Sequence, residues 1–503
     1  FYKITERWLA MVGFLILGAF GIFFISMAII TTKIFTMNDV DEFVVAGRKL
    51  PFGLIAASVM VSWIWTTSLL GAAEAGFWYG IGGGLAFAIG SVIPFIIFLP
   101  VVLRLRNVMP HGITFVSFIQ QRYGKSVQVI LLMFVILLSL YVTVEQLIGV
   151  GYALSLTFDI SYAWVVIISA VIITLYISIA GLRGSVFNDL FQFFIISIVV
   201  FVFLPLILKI YGMDTLYNGL IDVATNQSNP NYNPDVLNPF APAALRYLIV
   251  AMVVSMGFVL LGQGYYQKAL AAISNKTLIW AFLVGTVFAW APIPILFGAI
   301  LGGTGLSMGI TEGVEISVTT DIAAYVFNDF FPATGSIIFS LMIFMAGITT
   351  AGNSIVGLQG ILVEDIHPKL YRNIETTEKD KINFARKATL VFGLLIIIFA
   401  ILLEGVSLLY IDILSGIIFA TPIGAFVLGL FWKKPNPKVA IASIVIGLAG
   451  GIITYLAVSD PDIDYFYGNV VSLVLPFIVV IIGSLASKEN FDFEKLKEYR
   501  ANK

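Results

Sequence analysis

The sequence predicts an all-α polytopic membrane protein with thirteen transmembrane helices. Three observations carry that prediction. Of the 503 residues 59% are apolar and only 11% are charged, with a mean hydropathy of +1.01; a soluble chain carries about a quarter charged residues. The apolar residues fall in continuous runs of about 20, the length that crosses a hydrocarbon core. The Lys and Arg residues between the runs gather on alternate connections, as the positive-inside rule expects. Continuous runs also argue against a β-barrel, whose strands alternate over about ten residues. A net charge of −1 offers no basic footprint for nucleic acid. Cys is absent and only His111 and His367 represent histidine, so disulfide frameworks, thiolate metal sites and His-built catalytic centres are excluded. No metal motif or nucleophile elbow accompanies the polar residues, and an enzyme is not expected.

In chain order the runs cover about 8–33, 52–77, 82–103, 127–156, 162–180, 186–208, 245–267, 277–302, 333–361, 388–405, 408–432, 437–457 and 468–487. The first lacks a small-residue cleavage site and is expected to be retained. The second, VMVSWIWTTSLLGAAEAG, sets hydroxyls and Gly between large aromatics. Such a helix can break, and the freed carbonyls are tolerated only where they line a cavity. The stretch 209–244, rich in Asn and Pro, reads as a turn-rich cap. In the ninth run Ala346, Thr349 and Thr350 stand at i, i+3 and i+4. That spacing places two hydroxyls and a nearby carbonyl on one helix face. Close helix packing is the other use of such small residues. The stretch 364–387 reads as a solvated inward hairpin, and the tail after 487 as a short charged segment.

With the N-terminus outside, 24 of the 28 Lys and Arg fall on the inward side, Lys268 among them. The outward side receives Lys3, Arg7, Lys209 and Arg246. The split requires an odd number of spans. It predicts a multi-pass protein of the cytoplasmic membrane, N-terminus outside and C-terminus in the cytoplasm.

Polar residues inside spans mark pathways or structural pairs, because a charge at the centre of a span costs about 2.5–3.5 kcal/mol. Here they are Glu74, Glu145, Gln146, Asp189, Gln192, Gln263, Gln267, Asn353 and Asp412. Glu74 can sit at the outer interface, and Asp189 can pair with nearby Arg183. Distributed over the second, fourth, sixth, seventh, ninth and eleventh spans, the set reads as one polar cavity. Carbonyls of a broken helix and Thr hydroxyls facing it can bind a bare Na⁺.

These residues resemble the sodium/solute symporters of the LeuT-type inverted-repeat fold. The markers are AGLRGSVFNDLFQ, QGYYQKALAA, TTAGNSIVGLQGILVEDI and YIDILSG followed by LGLFWKK. The segments VSWIWTTSLLGAAEAGFWYG and RLRNVMPHGITFVSFIQQRYG look most like the active urea and polyamine transporter branch. The resemblance implies an N-terminal helix and inward loop (1–51), a five-helix repeat (52–208), an outward loop (209–244), an inverted five-helix repeat (245–432), and two further helices with a cytoplasmic tail (433–503). It implies a Na⁺ site from the carbonyls of Val61, Ile64 and Ala346 and the hydroxyls of Thr349 and Thr350. It also implies a possible second ion at Asp189 and Asn353, where Gly352 departs from the hydroxyl some members use. Gly264 stands where sugar-transporting members carry a gating Tyr.

The expected function is secondary active transport: Na⁺-coupled symport of a small polar solute, urea-like, amine or polyamine, by alternating access. Na⁺ is the coupling ion, and the partners are the solute and the lipid bilayer. The solute contacts expected are Trp63, Thr67, Ser68, Gln146, Gln263 and Asp412, the last because an acid accepts from N–H groups and repels carboxylates. Rival readings are H⁺ coupling, with Glu145, Asp189 or Asp412 as carrier, a channel, and a transporter-like sensor.

Overall fold

A computed structural model describes residues 2–34, 39–332 and 334–500. Lys503 of the charge count lies outside these residues, and the side chains of Lys3 and Arg7 lie outside those described. Among the described residues the chain is helical and forms no strand beyond two isolated bridges. Among the described residues ten helices are long and apolar enough to cross a membrane, or up to twelve when each of two bent pairs counts as one span. The expected thirteen requires dividing the 50-residue run Tyr162–Tyr211, which the sequence reads as a fifth and a sixth span. Gly181 is the point of division: its φ of 59° and ψ of −171° are non-helical, a conformation open to Gly because it lacks Cβ.

The first half of the chain comprises α1 (Tyr2–Ile34), the short α2 (Val40–Val45), α3 (Phe52–Trp63), α4 (Thr67–Tyr79), α5 (Ile81–Val108), α6 (Phe115–Tyr123), α7 (Lys125–Phe158) and α8 (Tyr162–Tyr211). The helix α9 (Met213–Thr225) follows. The expected turn-rich cap therefore opens with a helix, whose Leu216, Leu220 and Val223 bury at i, i+4 and i+7. The second half holds α10 (Pro242–Leu261), α11 (Gln263–Ala271), α12 (Asn275–Ser307), α13 (Ile322–Phe330), α14 (Gly335–Leu370), α15 (Glu378–Leu402), α16 (Leu408–Phe419), α17 (Ile423–Phe431), α18 (Pro437–Ala457) and α19 (Asp464–Leu485).

Burial sorts these helices. In α14 every residue from Ile343 to Asn353 is buried, and α14 packs against α7, α8 and α11. In contrast α1 and α18 expose apolar side chains such as Ile22, Val445 and Ile453, as lipid-facing helices do. Two spans are bent by more than 40°: α3 and α4 meet at 68°, α16 and α17 at 49°. A third break separates α10 from α11 at Gly262.

Two expectations about the inward face change. Asp365 and His367, in the segment read as a solvated hairpin, are buried. Asp365 accepts from Thr114 Oγ1 at 2.8 Å, Ser117 Oγ at 3.0 Å and Gln128 Nε2 at 3.0 Å. The tail is likewise docked: Phe493 and Leu496 are buried, and Arg500 pairs with Asp41 at 2.9 Å. Hydroxyl and guanidinium donors offset the desolvation of the acids they meet.

Candidate functional site

The site begins at the break in the second predicted span. Ile64, at φ −81° and ψ 79°, leaves the helical region, so backbone groups on either side lose their ladder partners. Side chains from other helices replace them. Thr350 Oγ1 on α14 donates to the carbonyls of Ser62 at 3.3 Å and Ile64 at 3.2 Å. Tyr265 OH on α11 donates to the Ser62 carbonyl at 3.1 Å. The N–H of Thr66 donates to Gln146 Oε1 at 2.7 Å, and that of Trp65 to Ser68 Oγ at 3.2 Å. Backbone at membrane depth is therefore satisfied through polar side chains converging from α7, α11 and α14.

Thr349 and Thr350 do not share partners. Thr349 Oγ1 donates to the Met345 carbonyl at 2.8 Å and to Gln192 Oε1 on α8. Successive helical residues point about 100° apart, which separates the two hydroxyls. Ala346, Val61 and Ile64 are fully buried around the same break.

Two cavities flank it. One, a small cavity, is lined by Trp63, Thr67, Ser68, Phe258, Trp290 and Asp412 among others. It gathers four of the six expected solute contacts. Asp412 receives Tyr141 OH at 3.5 Å. Glu145, one turn along α7 from Tyr141, is buried near Asp412 and Thr67. The other cavity, also small, is lined by Gln263, Gly264, Tyr265, Thr350 and Asn353 among others. Trp65 and Phe258 line both cavities and stack with centroids 4.7 Å apart at 22°. They form the wall between them.

Gln263 reaches the second cavity but is also a structural bridge. Its Nε2 donates to the Ile113 carbonyl at 2.8 Å, and its Oε1 accepts from the N–H of Phe115 at 3.2 Å. Gly264 has no space for a side chain: a Cβ there would stand 2.6 Å from Asn353 Oδ1. A Tyr at this position would force α11 away from α14.

Asp189 pairs with Lys268, not with Arg183. The Lys268 ammonium lies 3.5 Å from Asp189 Oδ2, with both side chains at 0–1% exposure. Arg183 instead meets Glu42 at 2.9 Å and the Ala46 carbonyl at 2.8 Å. Lys268, counted from the sequence as an inward loop charge, is a buried member of the polar core. Its signal was present in QGYYQKALAA, where the cation follows two glutamines and two tyrosines and precedes the apolar ALAA, with no further charge nearby. Asn353 lies at the second cavity, apart from the Asp189–Lys268 pair.

Glu74 is not at a lipid interface. It is fully buried and accepts from Thr319 Oγ1, Thr320 Oγ1 at 3.0 Å, Ser407 Oγ at 2.6 Å and the Leu409 N–H at 3.4 Å.

Comparison with known proteins places this geometry among transporters. The profile described as the sodium:solute symporter family matches residues 43–447. A urea active transporter of Saccharomyces cerevisiae is 26% identical, covering 97% of this chain and 70% of that protein. A urea-proton symporter of Oryza sativa subsp. japonica is 23% identical, covering 96% of this chain and 71% of that one. Among solved structures, a substrate-bound, outward-open Na⁺-coupled sialic acid symporter superposes with a TM-score of 0.75 at 16% identity, covering 96% and 98% of the two chains.

Proposed function

Because this chain belongs to the sodium:solute symporter family, we propose that it drives a small polar solute uphill by coupling it to Na⁺. As a member it is a multi-pass membrane transporter rather than an enzyme, with a LeuT-type fold. The proposal concerns the ion, the solute, the site and the orientation.

One observation carries the ion reading: the Thr350 hydroxyl faces the Ser62 and Ile64 carbonyls across the break. A hydroxyl that can turn its proton away leaves an oxygen set suited to a bare alkali cation. Val61, Ile64, Ala346, Thr349 and Thr350 are the proposed ligands. Na⁺ entering from outside bridges α3 and α14 and favours the state in which the solute cavity is formed. The solute binds beside Trp63, Thr67, Ser68 and Asp412, with Gln146 and Gln263 supporting the break and the α11 entry. The halves 52–208 and 245–432 then rock, and both cargoes leave toward the cytoplasm. Asp412 favours N–H-bearing solutes, urea-like or amine, and two of the relatives are named for urea. A potential of 100 mV contributes about 2.3 kcal/mol per charge moved, about a fifty-fold accumulation of a neutral solute.

A second reading has its own support. The rice relative is named a proton symporter, and Glu145 is buried beside Asp412, so H⁺ is the alternative driver. Proteoliposomes carrying the full chain discriminate, assayed with a panel of labelled urea, amines and carboxylates. Uptake that needs an inward Na⁺ gradient and ignores a pH gradient supports Na⁺; the reverse result removes it.

A further inference from the structure

We propose that Lys268 is a built-in cation filling a second ion position, so that this transporter carries a single coupling Na⁺. The inference deepens the symport reading above and rests on it.

The ammonium of Lys268 is completely enclosed. It donates to the Ser58 carbonyl at 3.1 Å and to Ser62 Oγ, and lies 3.5 Å from Asp189 Oδ2. The Ser58 hydroxyl donates to the same carboxylate oxygen. Carbonyl, hydroxyl and carboxylate oxygens thus converge from α3 and α8 on one positive charge. This is the donor set that a hard metal cation takes. Here a side chain of α11 supplies the charge.

The position is what gives this pairing a consequence. Ser58 and Ser62 are one turn apart on α3, and the Ser62 carbonyl is one of the two that Thr350 reaches. The ammonium therefore meets Ser62, one and two residues from the Val61 and Ile64 carbonyls proposed for Na⁺. Two mobile cations so close would repel in a medium of low dielectric. A tethered one neutralises Asp189 permanently and leaves the outer position to a single ion. Without Lys268, Asp189 would be a buried, uncompensated carboxylate held by the Ser58 hydroxyl alone, beside a Ser62 hydroxyl that meets the Ser58 carbonyl. A buried charge in that state is strongly unfavourable, and Na⁺ is the abundant partner that relieves it.

The test counts ²²Na⁺ bound at saturation to the purified full chain, in wild type, Lys268→Met and Lys268→Met/Asp189→Asn. The expected counts are one, two and one. Lys268→Arg keeps the charge and is expected to bind one. Should Lys268→Met not fold, Lys268→Gln carries the same test. A wild-type count of two, or an uncharged variant at position 268 that gains no ion, overturns the proposal and leaves Lys268 a structural clamp. The symport reading fails separately: a wild type that binds no Na⁺ removes Na⁺ coupling, whereas gain of one ion in Lys268→Met would still uphold the role of Lys268.

Discussion

At the scale of single residues, the two neighbouring threonines of α14 differ in what holds them. Thr350 faces the carbonyls of the break, while Thr349 is already committed to Met345 and Gln192. Thr350→Ala is expected to raise the Na⁺ concentration for half-maximal uptake about tenfold or more, a loss of about 1.4 kcal/mol, with the solute KM moved less. Thr349→Ala is expected to shift it by a smaller factor. Na⁺ activation curves measure both, and equal effects would argue against the division of roles. Asp321 offers a separate test in the connection before α13. Burial pushes its carboxyl up from 3.8 to about 6. The folded chain therefore holds that proton more tightly than the unfolded one, and stability falls as pH rises from about 4 to about 6. The loss amounts to about 3 kcal/mol at most. Asp321→Asn should melt higher than wild type at pH 7.5 and alike at pH 4; a constant difference across that range would place the effect elsewhere. Sequence reasoning set Thr350 beside the Ile64 carbonyl but did not reach the Ser62 carbonyl or the Gln192 partner of Thr349. Helix periodicity gives a direction to within a broad face, and the roughly 100° between successive residues is enough to give the two hydroxyls different neighbours.

At the scale of elements, the breaks matter more than the helices. The hydroxyl-rich, Gly-bearing composition of the second span announced its break, and α3 and α4 do part by 68° at Ile64 and Trp65. Glu74 then anchors α4, joining it to the Thr319–Asp321 turn and to the start of α16. Glu74→Ala would leave three hydroxyls and a backbone N–H without their acceptor. A buried donor left without an acceptor costs about 1–3 kcal/mol, so a destabilisation of at least about 3 kcal/mol is expected. Thermal melting of the purified chain would read it as a drop of several degrees, and an unchanged melting temperature would refute the anchoring role. The fifth and sixth spans were separable in sequence because AGLRGS interrupts the apolar run. The structure divides the 50-residue run Tyr162–Tyr211 at that place, where Gly181 leaves the helical region.

At the scale of the whole molecule, orientation rests on the alternation of Lys and Arg, and the absence of Cys makes it simple to test. A single Cys at Asn229, in the connection after α9, is expected to react with an impermeant maleimide on intact cells. One at Lys495 in the docked tail should react only after permeabilisation; the opposite pattern would invert the topology. Burial of Lys268 removes one charge from the inward count without changing its sense. The same reassignment moves this residue from a topology signal to the polar core, where it ties α11 to α3 and α8.

The sequence by itself determined the solvent. Hydropathy adds residue by residue along the chain, so the helical membrane class, the run boundaries and the few polar positions inside them are legible in one dimension. Only the tertiary structure decided the partners: Lys268 for Asp189 instead of Arg183, Gln192 for Thr349, the Ser62 and Ile64 carbonyls for Thr350, four donors for Glu74. A buried polar group needs some partner wherever it lies. Which one it finds depends on which helices pack side by side and at what depth, and neither quantity is a sum over the sequence.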